Sequence, residues 1–161
     1  MDQGRRTLER LQCDGKSTAV LMLDLDYFKQ VNDRHGHPAG DALLRAFART
    51  VGGILRPQDL LGRVGGEEFA VLLPGVRATA AEQIAARICA AVRAQRLALR
   101  DGPVLRVTVS IGVAWNDGSP QTLDEMLQSA DTALYQAKGA GRDGWRRDTA
   151  NAQRPALAIQ L

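Results

Sequence analysis

The sequence predicts an α+β fold, in which a mostly antiparallel five-stranded sheet is flanked by helices carried on one of its faces. The first observation is a continuous apolar run at residues 19–25, broken by Asp24, which is typical of a buried strand. The second is a pair of short apolar strands at 59–64 and 69–75. Gly-Gly-Glu-Glu joins these two strands and indicates a hairpin.

The remaining elements follow from periodicity and capping signals. Residues 79–97 are Ala-rich with apolar residues at fourfold steps, and 105–115 alternate and are rich in β-branched residues. A helix over 122–141 begins with a capping box formed by Thr122 and Glu125. The full predicted order is a helical start at 5–12, strand 19–25, helix 26–36, turn 37–41, a helix with apolar residues from Leu43 to Leu55, strands 59–64 and 69–75, helix 79–97, strand 105–115, helix 122–141 and strand 145–147. These elements form one predicted domain over 1–147, which is followed by a flexible tail over 148–161.

Composition narrows the class of protein. The chain has 161 residues, a net charge of +3 and a pI near 9.2, which is too mild for nucleic-acid binding but suits a polyanionic ligand such as a nucleotide. Cys13 and Cys89 follow no ligand or disulfide spacing and are interpreted as free thiols in a reducing compartment. No apolar run reaches the length of about 20 residues that a membrane helix needs, so we expect a cytoplasmic protein without membrane contact.

Three carboxylates are predicted to meet at one edge of the sheet. Asp24 ends a buried strand, and Glu67 and Glu68 lie at the hairpin tip. Carboxylates held close together repel one another unless a cation lies between them, and Mg²⁺ prefers oxygen ligands. Two-metal sites of this kind drive phosphoryl or nucleotidyl transfer. The alternative is a Gly-Gly turn followed by solvated acids.

Phosphate-binding groups are predicted around the helix that starts at residue 26. Asp26 is interpreted as its N-cap rather than as a ligand, and the free N–H groups of the first turn favour phosphate. Lys29 adds a positive charge there. Lys138 and Arg142, near the end of the last long helix, either complement the helix dipole or hold a triphosphate.

Asn32 and Asp41 bracket a His-Pro-Ala-Gly turn and are candidates for base recognition. A carboxylate can accept two parallel hydrogen bonds from N1–H and the 2-amino group of guanine, and Asn32 can both donate and accept. The structural alternative is that Asp41 caps the following helix. His37 is interpreted as a turn residue rather than a catalytic base.

Four separated motifs occur together in order: LDLDYFKQVNDRHGHPAGD, RPQDLLGRVGGEEF, VTVSIGVAW and ADTALYQAKGAGRD. Together they resemble the GGDEF-domain diguanylate cyclases over roughly residues 5–147. The resemblance implies a fold like the palm of class III nucleotide cyclases and polymerases. It also implies a nucleotidyltransferase that condenses two GTP into cyclic di-GMP and pyrophosphate.

The resemblance assigns roles to matching positions. It implies two Mg²⁺ or Mn²⁺ ions per active site, catalysis by Glu67 and Glu68, and a homodimer in which two GTP-loaded domains face each other. The implied metal ligands are Asp24, the Leu25 carbonyl, Glu67 and Glu68, and the implied GTP contacts are Tyr27, Phe28, Lys29, Asn32, Asp41, Gly65, Gly66, Lys138 and Arg142.

The resemblance also implies a product-binding inhibitory site. Arg56 and Asp59 match the family's RxxD motif ahead of the Gly-Gly pair, with Arg10 and Arg87 as candidates for the partner surface. The alternative function is a cyclic di-GMP-binding module with little turnover. The N-terminal motif is reduced to Gly-Arg-Arg at residues 4–6, so we expect a fragment, the cytosolic output domain of a larger signalling protein.

Overall fold

A computed structural model describes Gly4, Arg6 and residues 9–11, 14–99 and 102–149. The predicted tail beyond residue 149 lies outside the described residues. No helix within the described part is long and apolar enough to cross a membrane. The elements after the N-terminal helical residues are helices α1 (Phe28–His35), α2 (His37–Gly52), α3 (Ala78–Ala94) and α4 (Leu123–Gly139), and strands β1 (Thr18–Leu25), β2 (Leu60–Arg63), β3 (Glu68–Pro74), β4 (Leu97–Ala98), β5 (Val104–Leu105), β6 (Val109–Asn116) and β7 (Gly144–Arg147).

The main sheet has five strands in the order β2-β3-β1-β6-β7. The β2–β3, β3–β1 and β1–β6 pairs are antiparallel, and only β6–β7 is parallel. All eight residues of central β1 are buried, which explains why its sequence is a continuous apolar run. The predicted fold class, including the β2–β3 hairpin, is confirmed.

Helices cover both faces of the sheet, so the prediction that one face carries them is wrong. Leu21 and Leu23 of β1 belong to a core shared with α2 and α3. Val20 and Met22, which point the opposite way because strand side chains alternate, pack with α4. A strand that is apolar on both faces must be buried on both. The apolar face of α3 packs on one side of the sheet, and the apolar face of α4 packs on the other.

Helix α4 lies unusually close to β6 at Gly112. A Cβ at this position would collide with the backbone of Ala130 and Leu134, so only glycine permits this approach. The predicted capping box that begins α4 is confirmed: the Thr122 hydroxyl accepts a hydrogen bond from the Glu125 N–H at 3.2 Å, and the Glu125 carboxylate accepts one from the Thr122 N–H at 2.8 Å. The capping box defines where α4 begins, and the close approach at Gly112 sets how near α4 lies to the sheet.

Two predicted boundaries differ from the structure. The alternating run 105–115 is divided, because Leu105 pairs with Leu97 in the small β4–β5 hairpin and the sheet strand is β6. Alternation reveals that a segment is extended but not which partner it pairs with. The predicted turn at 37–41 is the first turn of α2, where Pro38 is tolerated because the N–H groups there have no intrahelical partner.

Candidate active site

Asp24 and Glu68 are cross-strand neighbours. They are Cα partners in the β1–β3 ladder, two residues along from the Met22–Ala70 pair. Because strand side chains alternate between faces, both acids lie on the same face as Met22, which is the face that α4 covers. Asp24 is only 8% exposed, and Glu68 is half-buried. Glu67 lies beside Leu25, whose N–H donates to the Glu67 carbonyl at 3.4 Å. The predicted convergence at one edge of the sheet is confirmed for Asp24 and Glu68, whereas Glu67 is placed there by its backbone.

Lys138 meets this acidic edge from the last turn of α4. Its Nζ lies 2.9 Å from the Asp24 carboxylate, and about one third of its side chain is exposed. The close packing of α4 on β6 brings this lysine down to the sheet. One carboxylate of the pair is therefore partly neutralised by the protein itself.

The hairpin turn is held by a residue that the sequence analysis missed. The Arg63 guanidinium donates to the Gly65 and Gly66 carbonyls at 2.7–3.1 Å. A Cβ on Gly65 would lie 2.8 Å from a Glu68 carboxylate oxygen, whereas one on Gly66 would meet nothing within 4 Å. Space beside the turn is therefore limited by the Glu68 side chain at Gly65 and open at Gly66. An arginine two residues before Gly-Gly was the available sequence signal for this brace.

The interpretation of Asp26 as a helix cap is wrong. The N-cap of α1 is Tyr27, in the left-handed conformation at φ 58°, and it makes no side-chain capping bond. Asp26 is buried and accepts hydrogen bonds from the Thr108 and Ser110 hydroxyls, both at 2.7 Å, and from the Asp143 N–H at 3.1 Å. Its role is to join the start of α1 to β6 and to the loop before β7, far along the chain.

Arg142 lies above the start of α1. Its guanidinium carbon is 5.0 Å from the centroid of the Tyr27 ring, which is 57% exposed. Lys29 is exposed on the first turn of the same helix, and Phe28 is buried. The cationic groups predicted to hold phosphate therefore flank the acidic edge.

Asn32 occupies the contact between α1 and α2. A Cβ on Gly40 would collide with its side chain, lying 2.9 Å from the Asn32 Cγ, and the Asn32 Oδ1 is buried without a hydrogen-bond partner. Asp41 follows Gly40 and is exposed. The interpretation of Asp41 as an N-cap is wrong, because the N-cap of α2 is Gly36. An orphaned amide oxygen beside a solvent-facing carboxylate is suited to a ligand with several N–H donors.

Arg56 and Asp59 form a closed local pair. The Asp59 carboxylate accepts from the Arg56 N–H at 2.8 Å, its Nε at 3.2 Å and its Nη2 at 2.8 Å, while Nη2 also donates to the Pro74 carbonyl at 3.1 Å. The Asp59 side chain is 1% exposed, whereas that of Arg56 is 41% exposed. Asp59 therefore orients Arg56. Arg10 and Arg87 are exposed.

The donor set at the edge of the sheet fits a hard divalent cation. Asp24, Glu67 and Glu68 offer only oxygen, which Mg²⁺ and Mn²⁺ favour. Within the described residues, no three His, Cys, Asp or Glu side chains form a ready metal-binding group. Any coordination would therefore need further oxygen ligands from outside the protein, such as phosphates, as is usual for Mg²⁺.

Two other features lie away from this site. Burial raises the pKa of the Cys89 thiol to about 12, so it is protonated at neutral pH and no nucleophile. A groove of about 720 Å³ lies between α1 and the β4–β5 hairpin, and its lining includes Arg34, Arg96 and Arg106. None of the three acids of the sheet edge lines that groove.

Comparison with known proteins identifies the family. Residues 2–144 match the model described as "Diguanylate cyclase, GGDEF domain". The chain is 39% identical over 137 residues to the response regulator PleD of Caulobacter vibrioides, covering 84% of this chain and 30% of PleD. It is 38% identical over 128 residues to Diguanylate cyclase A of Treponema denticola, covering 80% of this chain and 34% of that protein.

Solved structures agree with these relatives. The GGDEF domain of YfiN from Pseudomonas aeruginosa has a TM-score of 0.87 and 37% identity, covering 93% of this chain and 87% of that one. The GGDEF domain of DgcB from Caulobacter crescentus, solved in complex with c-di-GMP, has a TM-score of 0.86 and 30% identity, covering 92% of this chain and 88% of that one. The chain spans about a third of PleD and of Diguanylate cyclase A. By its sequence match and its fold, this chain belongs to the GGDEF domain family.

Proposed function

We propose that this domain is a diguanylate cyclase that condenses two GTP into cyclic di-GMP and two pyrophosphates. The observation that carries the proposal is the cross-strand pair Asp24–Glu68 with Lys138 on it, at the same edge as the start of α1. The name of Diguanylate cyclase A and the c-di-GMP bound to the GGDEF domain of DgcB support the same activity.

Asp24, Glu67, Glu68 and the Leu25 carbonyl would hold the divalent cations, with two Mg²⁺ or Mn²⁺ ions per site. When bound, these ions would neutralise the triphosphate and polarise the reacting phosphorus. Lys138 and Arg142 bind the phosphates from one side. The N–H groups of Tyr27 and Phe28, together with Lys29, bind them at the start of α1.

Guanine is recognised between α1 and α2. The Asp41 carboxylate accepts from N1–H and the 2-amino group, and the unpartnered Asn32 Oδ1 takes a further donor. Adenine lacks this pair of donors on the same edge, so the site prefers GTP. Gly40 leaves the space that the Asn32 side chain needs.

The reaction is attack by the ribose 3′-oxygen of one GTP on the α-phosphorus of another. In each of two such attacks, one by each GTP, a new P–O bond forms, the bond to pyrophosphate breaks, and a Glu68 carboxylate accepts the 3′-hydroxyl proton. Gly65 and Gly66 admit the nucleotide to the turn. Because one domain holds one GTP, two domains must face each other as a homodimer.

The test is incubation with GTP and Mg²⁺, followed by chromatography of the products. We expect cyclic di-GMP from the unmodified protein and none from Glu68→Gln, because the variant loses the base and a ligand. Asp131→Asn, which neutralises an exposed acid on α4, serves as the control and should retain activity. If the unmodified protein makes no cyclic di-GMP, even at high concentration and when artificially dimerised, the proposal is contradicted.

We also propose that cyclic di-GMP binds at Arg56 and inhibits the enzyme. Asp59 holds the Arg56 guanidinium at the surface, where its outward N–H groups can bind a phosphate or a guanine edge. Arg10 and Arg87 contribute the opposing surface from a second domain.

Binding calorimetry with cyclic di-GMP tests this second site. We expect micromolar-class affinity, lost in Arg56→Ala and kept in Arg49→Ala, a control on the exposed face of α2. Affinity that does not change in Arg56→Ala refutes the assignment.

A further inference from the structure

Three residues with left-handed backbone meet beside the proposed triphosphate site. Tyr27, Arg142 and Asp143 have φ values of 58°, 64° and 46°, and no other non-glycine residue of the described chain has positive φ. Side-chain-bearing residues disfavour this region and keep it only where their surroundings hold them. Arg142 and Asp143 are consecutive, and the Arg142 guanidinium lies over the Tyr27 ring.

Asp143 is held from two directions. Arg93, on α3, donates from Nε at 2.8 Å and from Nη2 at 2.9 Å to the Asp143 carboxylate. The Asp143 N–H donates to the buried Asp26 carboxylate at 3.1 Å. Arg142 is fixed on its other side, where its N–H donates to the Ala137 carbonyl at 3.1 Å.

We propose that Arg93 is a positioning residue for Arg142: its bidentate ion pair with Asp143 maintains the left-handed turn that directs Arg142 toward the triphosphate. This inference rests on the proposed function. Arg93 acts through Asp143, since it belongs to a helix on the sheet face opposite to α4. The bidentate geometry requires a guanidinium, so lysine cannot reproduce it.

A second ion pair supplies the matched control. Arg147 Nη1 lies 2.7 Å from the Glu82 carboxylate and joins the same helix, α3, to the same strand, β7. It lies at the far end of β7 from Arg142. If Arg93 only attached α3 to the sheet, loss of either pair would have the same consequence.

The experiment measures the KM and kcat of cyclic di-GMP synthesis, and the Kd of GTP with Mg²⁺ by calorimetry, for Arg93→Ala, Arg93→Lys and Glu82→Gln. We expect Arg93→Ala to raise KM and Kd about 5- to 10-fold with a smaller change in kcat, because phosphate binding is lost in ground and transition states alike. Arg93→Lys should give an intermediate rise, and Glu82→Gln none.

The decisive arm is the double variant. In an Arg142→Ala background, Arg93→Ala should raise KM no further, because there is no longer a guanidinium to position. Equal effects of Arg93→Ala and Glu82→Gln, or additive effects of Arg93→Ala and Arg142→Ala, overturn the inference. If the enzyme is active and its KM does not change in Arg93→Ala, the inference is overturned but the proposed function is not. A wild-type protein that binds GTP but makes no product overturns the proposed function, and the Kd values then decide the inference.

Discussion

The Asp24–Lys138 and Asp59–Arg56 pairs look alike as contacts but differ in their surroundings. Each joins a buried aspartate to a partly exposed cation, at 2.9 Å and 2.8 Å. The Asp59 carboxylate accepts three N–H bonds from a residue three positions away. Asp24 is met by a cation from a different element, and its cross-strand neighbour Glu68 carries the same charge.

We interpret the difference as one between an acid that stabilises the fold, Asp59, and an acid that we propose acts in the chemistry, Asp24. A buried carboxylate with its hydrogen bonds satisfied favours the folded state, whereas adjacent carboxylates oppose it. We therefore interpret the neighbouring carboxylates Asp24 and Glu68, at a sheet edge beside cations and an exposed turn, as part of the proposed site. Each prediction below tests this contrast.

The largest effect is expected for Asp24→Asn. The substitution keeps the shape but removes the charge needed to hold a cation, so cyclic di-GMP synthesis should fall by at least about 100-fold. The free energy of unfolding should change by less than about 1 kcal/mol, because Lys138 is partly solvated and repulsion with Glu68 is relieved. Turnover assays and urea denaturation measure the two quantities. If Asp24→Asn lost much of its stability but kept its activity, Asp24 would be an acid that stabilises the fold, like Asp59.

Asp59→Ala should give the opposite pattern. It leaves the Arg56 N–H and guanidinium without their acceptor, and the unfolding free energy should fall by about 2 kcal/mol. Cyclic di-GMP binding should weaken as well, because Arg56 is no longer oriented. Denaturation of Asp59→Ala beside Asp14→Ala, which removes an exposed ion pair, isolates the contribution of burial. Equal stability of the two variants would contradict the structural role.

The smallest effect is expected at the turn. Gly66→Ala adds a methyl group to open space, so stability should be unchanged, but the methyl group occupies the proposed approach of the nucleotide. We expect KM for GTP to rise about 3-fold, a difference of less than 1 kcal/mol. Thermal unfolding and steady-state kinetics check this. A KM equal to that of the unmodified protein would remove Gly66 from the substrate contacts.

Local sequence was sufficient wherever a short segment carries its own signal. The apolar run of β1, the Gly-Gly hairpin and the Thr122–Glu125 capping box were all predicted, because burial, turn geometry and capping depend on neighbouring residues. The pairing of Asp24 with Glu68 of the hairpin also followed, since a hairpin beside a central strand leaves few alternatives.

The tertiary structure alone decided the contacts between distant segments. Asp26 was interpreted as a helix cap from its position, yet its three donors come from β6, from Thr108 just before β6 and from the loop before β7. The Arg93–Asp143 pair and the pairing of Leu105 with Leu97 are likewise invisible to periodicity. Periodicity and capping report which face or end of an element a residue occupies. The partner that a residue contacts depends on how the helices pack on both faces of the sheet. This packing is determined only when the whole chain folds.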